Sequence, residues 1–588
     1  MNEAFSLTPS SKGMIRRLLH YMRSDRPFLI LAVSSALATV ATFLVSPILV
    51  GRAIDAMLGI GLVDFPALFK VILILLALYL LDSVFQWLLA FSTHVISFNT
   101  VRRLRTEAFA KIQSLPLSYL DRHTQGNIVA RLVPDAEAIS EGLSASLSSL
   151  LTGLATIAGT IGIMLYLDVF VALTVILITP LSIVVAWFIT SRSHRMFSEQ
   201  AAAQGELAGY VNEMVSGQKL VTAFSYADKA QERFEIFNQS LRKTGYKAQV
   251  YASLVNPSTR FVNNIVYAAV GVVGGLMAVR GSLTVGELSA FITYANRYTK
   301  PFNEISGVIS QIQAALSAAA RIFALLDAQD EVPDAIDARQ IEHCEGNVTF
   351  ENISFSYVPD RPLITDLNVS AKVGQKIAIV GPTGAGKTTI VNLLMRFYEP
   401  QAGKITLDGT DIRKLTRNSM RKQFGMVLQD SWLFSGTVRE NLLYGKPDAT
   451  EEEMVAAAKA AFSHNFIQRL PKGYDTEITD ESSLSQGQKQ LLCIARVMLT
   501  DPALLILDEA TSAIDTLTEA RISQAFDKMT EGRTSFVIAH RLSTIQGADL
   551  ILVMQNGNIV EQGRHEELLS QNGLYAKLYY SQFAPTMT

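Results

Sequence analysis

Before Leu326 the chain contains uncharged stretches that are too long for ordinary core helices. Pro27–Val50 has no Asp, Glu, Lys or Arg, and Val71–Phe91 has one, Asp82. Gly142–Leu167 has none, and neither does Val169–Ser191 after the single Asp168; Phe261–Val279 is again uncharged. About 20 apolar residues cross a hydrocarbon core of ~30 Å, and their peptide groups must find partners inside the segment, which favours a helix. Five membrane spans are therefore predicted. A sixth is placed in Val285–Ala320, apolar at helical spacing but carrying Arg297, Lys300 and Glu304, because the pattern asks for an even number. A soluble helix is the alternative reading of that stretch.

The connecting segments set the orientation. Gly51–Lys70, Asp168 and Arg280–Gly286 are short joints. Ser92–Glu141 and Arg192–Arg260 are long and carry Arg102, Arg103, Arg105, Arg131, Arg192, Arg195, Arg242 and Lys243. Lys and Arg near span ends favour the cytoplasm, so both termini and both long loops are expected inside a multi-pass cell membrane protein. Residues 12–24 read as a basic amphipathic helix on the inner surface. The long loops read as helices continuing into the cytoplasm and reversing at short connectors, Ser118–Asp121 and Ser216–Lys219. The 588 residues have 18% charged side chains and a formal net charge of -2. That balance gives no reason to expect a nucleic-acid partner. Cys344 and Cys493 match neither a disulfide framework nor a metal-ligand spacing.

Composition then shifts to Asp, Glu, Gln and Pro, which reads as a linker over 327–346 between a membrane domain at 1–326 and a soluble α/β domain at 347–588. In the soluble domain the predicted strand Lys376–Val380 runs into Gly381, Pro382, Thr383, Gly384, Ala385, Gly386, Lys387, Thr388 and Thr389, followed by a predicted helix. Glycines let backbone N–H groups turn toward phosphate oxygens, the helix N-terminus adds its dipole, Lys387 reaches the β and γ phosphates, and Thr388 offers a hydroxyl to Mg²⁺. Leu504–Leu507 followed by Asp508 and Glu509 reads as a buried parallel strand. At its end Asp508 can hold Mg²⁺ through water, and Glu509 can polarise an attacking water. A third motif, Leu484-Ser485-Gln486-Gly487-Gln488, stands just before a predicted helix.

With these three motifs in this order, the chain resembles the ATP-binding cassette exporters, and the resemblance spans nearly its whole length. It implies a helical membrane domain with long cytoplasmic extensions, fused to an α/β P-loop ATPase that carries a small antiparallel β subdomain and a helical subdomain. It further implies that Tyr357 stacks on adenine, that Gln429 senses Mg²⁺ and the membrane domain, that Asp515 belongs to a loop crossing a dimer interface, and that His540 contacts the γ-phosphate. In this family each ATP lies between the phosphate loop of one cassette and Ser485, Gly487 and Gln488 of another. The two connectors are expected to dock on cassettes as coupling helices, the second on the partner's.

Two departures refine the expectation. Gln486 stands where the family usually has Gly, and residues 479–483 lack the usual Gly pair, while Glu509 and His540 are intact. This combination resembles the catalytic-Glu-bearing subunit of heterodimeric bacterial multidrug exporters, with a second half-transporter as partner; a homodimeric flippase of the same fold for a lipid or lipid-linked molecule is the alternative. The resemblance implies ATP-driven efflux of amphipathic small molecules across the bilayer, with ATP and Mg²⁺ as cofactors. Trp87, Trp187, Phe261, Tyr267, Phe291, Tyr294 and Phe302 are candidates to line the path, and Asp82, Arg297 and Glu304 are the intramembrane charges to follow. A soluble cassette ATPase acting on DNA or ribosomes shares the motifs but lacks fused spans.

Overall fold

The structure is a computed structural model and describes residues 9–57, 63–358, 361–429, 431–479, 484–508, 515–538 and 545–583. The chain divides into two compact units, Met1–Ser114 with Thr124–Gln329, and Leu115–His123 with Asp330–Thr588.

The first unit is helical. A short amphipathic helix α1 (Pro9–Met22) precedes α2 (Arg26–Asp55), α3 (Phe65–Ser114), α5 (Gln125–Leu132), α6 (Pro134–Leu167), α7 (Val169–Ser216), α8 (Gln218–Ala223), α9 (Ala227–Val279) and α10 (Val285–Leu326); α4 (Leu117–Arg122) groups with the second unit. Six of these are long, and the 50, 48 and 53 residues of α3, α7 and α9 correspond to about 70–80 Å each, more than twice a hydrocarbon core. Among the described residues, stretches within Gly13–Asp55, Phe65–Ser114 and Gln125–Leu167 are long and apolar enough to cross a membrane. The other long helices contribute shorter described apolar segments, Val169–Ile178, Asn263–Val279 and Gln311–Leu326. The short helices α4 and α8 stand at the two connectors.

Several interior polar groups in this unit are matched to one another. Asp82 accepts hydrogen bonds from the Thr42 hydroxyl and the Gln86 amide, both at 2.7 Å, and Ser46 bonds to Tyr79 at 2.8 Å. Pro47 lies inside α2 and has no N–H, so the carbonyl of Phe43, four residues earlier, loses its helical donor. The Arg297 guanidinium of α10 donates to that carbonyl and lies 3.9 Å from the centroid of the Phe43 ring; Tyr294, one turn away, donates to the carbonyl of Leu44. Glu304 pairs with Lys300 at 3.8 Å. At the end of α2, Asp55 accepts from the Gly286 amide and the Thr284 hydroxyl at the start of α10, where a Cβ on Gly286 would meet the carbonyl of Gly51. Phe291 and Tyr294 are buried, Trp87, Phe261 and Tyr267 are exposed, and the side chains of Trp187 and Phe302 lie outside the described set. At the other end, Leu18 and Met22 of α1 are buried. Arg17 pairs with Asp327 at 2.7 Å, and Asp25 with Arg103 at 2.9 Å.

The second unit is α/β. Its strands are β1 (Val348–Phe355), β2 (Ile364–Ala371), β3 (Lys376–Val380), β4 (Ala402–Leu407), β5 (Thr410–Asp411), β6 (Phe424–Val427), β7 (Gly436–Thr437), β8 (Glu477–Ile478), β9 (Leu504–Asp508), β10 (Thr534–Ile538), β11 (Leu550–Gln555) and β12 (Asn558–Gly563). The main sheet has the order β12-β11-β3-β10-β9-β6 and is parallel except for the β11–β12 hairpin; a smaller antiparallel sheet has the order β2-β1-β4-β5. Nearly every residue of β3, β9 and β10 is buried, as expected for central strands covered on both faces. The helices are α11 (Lys387–Leu394), α12 (Arg417–Arg421), α13 (Val438–Leu443), α14 (Glu451–Ala460), α15 (His464–Ile467), α16 (Gln486–Thr500) and α17 (Thr516–Thr530), with two more after β12. One core packs α11 between the two sheets through Ile390, Leu394, Ile379, Phe536 and Phe350. A second packs α16 and α17 on the main sheet through Leu491, Ile494, Ile522, Leu505 and Leu507. The acidic segment before β1 is tied to this unit: Asp334 meets Arg417 at 2.7 Å, and Glu331 meets Arg421 at 3.1 Å.

The Pro47 arrangement gives a two-step expectation. Arg297→Met leaves the Phe43 carbonyl unpaired and lowers stability by about 1–3 kcal/mol. Adding Pro47→Ala restores the helical N–H, so most of that loss is recovered. Thermal unfolding of the purified full chain in detergent checks both; Pro47→Ala making the Arg297→Met protein worse contradicts the pairing.

Candidate active site

The site is built at the carboxyl ends of the parallel strands, where an α/β sheet opens its ligand crevice. β3 delivers the loop 381–386, and α11 begins at Lys387 with Gly386 as its cap at φ 99°. Two positions demand glycine. A Cβ on Gly381 would run into the carbonyl of Met554, and Gly386 combines its left-handed backbone with Gly557 3.3 Å from where a Cβ would sit. Lys387 folds back over the loop and donates to the carbonyls of Gly381 and Pro382 at 2.7 and 3.1 Å. Burial pulls its ammonium below the usual lysine range, and Asp508 at the end of β9 pulls in the opposite sense.

The neighbouring strands bring further groups to this edge. β9 pairs with β6 and β10, with Val427 opposite Leu507 and Ile538 opposite Asp508. Gln429 follows β6 and is exposed. Glu509 and His540 lie outside the described residues, as do residues 510–514. Thr388, Gln429 and Asp508 offer oxygen donors alone, the donor type that suits Mg²⁺. Among the described residues no group of three or more His, Cys, Asp or Glu side chains stands close enough to hold a metal ion, so any ion here would depend on phosphate oxygens and water as well.

Tyr357 is placed by the small sheet. Its hydroxyl donates to Thr389 at 3.2 Å and accepts from Asn392 at 3.1 Å, both on α11, and the residue remains 37% exposed. The Leu484–Gln488 segment forms the start of α16. Ser485 is the N-cap and accepts from the Gln488 amide at 3.3 Å, while the Gln488 side chain accepts from the Ser485 amide at 2.9 Å. This is the reciprocal capping box. Gly487 is buried and Gln486 exposed. Asp515 caps α17 by accepting from the Thr518 amide at 2.9 Å, and that bond holds its carboxyl below the usual range. The structure thus gathers Tyr357, the 381–389 loop, Gln429 and Asp508 at the sheet edge. Among the described residues Ser485 and Gln488 bond to each other and not to the loop.

Tyr398 was not singled out from sequence. Its ring meets those of Tyr357 and Phe355 at centroid distances of 4.9 and 5.7 Å, and its hydroxyl donates to Asp121 of α4 at 2.6 Å. The only sequence cue is an aromatic pair between the loop's helix and Pro400. Neither cysteine belongs to the site: both are free thiols, and burial pushes that of Cys344 up to about 12.

Comparison with known proteins agrees with this architecture. Residues 29–302 match the ABC transporter transmembrane region and residues 364–512 the ABC transporter family. The chain is 41% identical over 574 residues to the uncharacterized ABC transporter ATP-binding protein YfiC of Bacillus subtilis, covering 97% of this chain and 95% of that one. It is 42% identical over 517 residues to a fatty acid ABC transporter ATP-binding/permease protein of Mycobacterium bovis, covering 88% and 82%. The solved structure of a bacterial Atm1-family ABC exporter with ATP bound superposes with a TM-score of 0.76 at 30% identity, covering 96% of this chain and 99% of that one. On this evidence the chain belongs to the ABC transporter family, as a membrane-embedded exporter half whose own ATPase domain couples ATP hydrolysis to transport.

Proposed function

We propose that this chain is the catalytic half of a heterodimeric exporter that moves amphipathic compounds, drugs among them, out across the cell membrane. The observation that carries this reading is an intact Asp508-Glu509 pair and His540 beside a signature with Gln486 in place of glycine. ATP binds with its adenine on Tyr357 and its phosphates in the 381–389 loop, which Lys387 and the N-terminus of α11 complete. Thr388, Gln429 and Asp508 hold Mg²⁺, which neutralises phosphate charge when bound. Glu509 takes a proton from the attacking water, and His540 steadies the γ-phosphate. The partner's signature closes this site. This chain's Ser485, Gly487 and Gln488, with Asp515 at the interface, close the partner's less active one.

Closure works because these contacts exist only in the closed dimer, so ATP binds that state more tightly. The helices α4 and α8 carry the movement to the membrane unit, α8 from the partner's cassette. For the cargo, the intramembrane charges Asp82 and Arg297 already have protein partners, which supports recognition through apolar contact. The likeness to the mycobacterial fatty acid transporter supports the cargo of a second reading, a homodimeric flippase for a lipid or lipid-linked molecule.

Purified alone, the chain is expected to show little transport-coupled ATPase activity, and Gln486→Gly is expected to raise it. Full activity of the unmodified chain by itself, in proteoliposomes, overturns the heterodimer. Separately, Glu509→Gln is expected to keep ATP binding and lower turnover by about 100-fold or more; substantial hydrolysis by that variant removes Glu509 as the base.

A further inference from the structure

The adenine seat and the first connector are in contact through one side chain. Tyr357 is held from two sides. Its hydroxyl is fixed on α11 by Thr389 and Asn392, and its ring meets Tyr398 nearly edge-on, at 87°. Phe355, only 4% exposed, backs both rings at 85° and 73°. These edge-to-face contacts set ring positions as well as burying area. Burial and the bond to Asp121 hold the Tyr398 phenol above its usual range. Its acceptor, Asp121, lies on α4, a six-residue helix that has no buried residue of its own. α4 therefore depends on contacts such as this one for its place in the unit.

We propose that Tyr398 is a positioning residue that couples the adenine seat at Tyr357 to connector helix α4 through its hydrogen bond to Asp121. This rests on the reading of Tyr357 as the adenine seat. A base stacked on the exposed face of Tyr357 presses a ring whose hydroxyl is already fixed, so displacement passes to Tyr398 and on to α4. Coupling between two equilibria is reciprocal. A docked α4 holds Tyr398, which keeps Tyr357 ready for the base, and releasing α4 weakens ATP binding by the same factor. The effect requires the base, because neither tyrosine belongs to the phosphate loop.

The test uses the full-length protein in lipid nanodiscs without Mg²⁺, so that no turnover occurs. Affinities for ATP and for inorganic triphosphate are read by displacement of a fluorescent ATP analogue. Tyr398→Phe keeps the ring and removes the donor; Asp121→Ala removes the acceptor. Each is expected to weaken ATP about tenfold, the size of one charged hydrogen bond, and to leave triphosphate unchanged. The double variant is expected to be no weaker than either single one, and Asp121→Asn, which keeps an acceptor oxygen, to stay within about twofold of the parent. Equal loss for ATP and triphosphate, no loss at all, or additive losses overturn the proposal. A parent protein that binds triphosphate but not ATP overturns the adenine seat itself.

Discussion

A backbone carbonyl or amide left without its regular partner must find another, and inside a bilayer no water is available to supply it. This constraint organises the first unit around α2. Pro47 frees the carbonyl of Phe43, and Arg297 of α10 fills the gap while resting on the Phe43 ring. A guanidinium in a membrane helix is costly unless committed, and here its charge rests on the Phe43 ring and one donor meets the Phe43 carbonyl, both on α2. Asp82 is treated the same way from the other flank, by Thr42 and Gln86. The polar groups that looked from sequence like candidates for cargo recognition are in large part struts between helices.

The same constraint has the opposite use in the second unit. The loop after β3 is wound so tightly that a Cβ on Gly381 would strike the carbonyl of Met554. That winding turns backbone amides toward a common point. Where the membrane unit fills the Phe43 and Leu44 carbonyls with side chains of α10, the phosphate loop leaves its donors directed at a ligand, and Lys387 bridges two loop carbonyls. Two of the α/β cores hold this edge. Ile379 of β3 and Ile390 of α11 share one core, and Leu505 and Leu507 of β9 share the other with α16.

Much of this was legible in the sequence, because its carriers are local. Charge-free runs, the KIAIV strand before the glycines, and the apolar strand before Asp508 each fit within one element. The burial patterns of β3 and β9 are what fully covered parallel strands require. What was not legible depends on contacts between distant residues. Arg297 and Phe43 are 254 positions apart, and Tyr398 and Asp121 are 277 apart. No periodicity records such a pairing. Composition also reads the acidic run before β1 as a spacer, although Glu331 and Asp334 are ion-paired to arginines on and beside α12. The charges that suggest solvation are there because buried arginines face them.

The signature shows how one residue can serve stability and a ligand together. Ser485 caps α16 by accepting the Gln488 amide, and Gln488 returns the bond. A hydroxyl has one donor and two acceptor lone pairs, so the cap occupies an acceptor and leaves the proton free for a phosphate oxygen. The amides of the first helical turn, Gln486 and Gly487, have no intrahelical acceptors and carry the positive end of the helix dipole. Replacing glycine by Gln486 therefore keeps every donor the signature offers. What changes is access: an exposed amide side chain now stands at the first helical position, beside the point where a phosphate from the opposite cassette would arrive. In the proposed heterodimer, sterics at that position would weaken the partner site while the electrostatics stay intact.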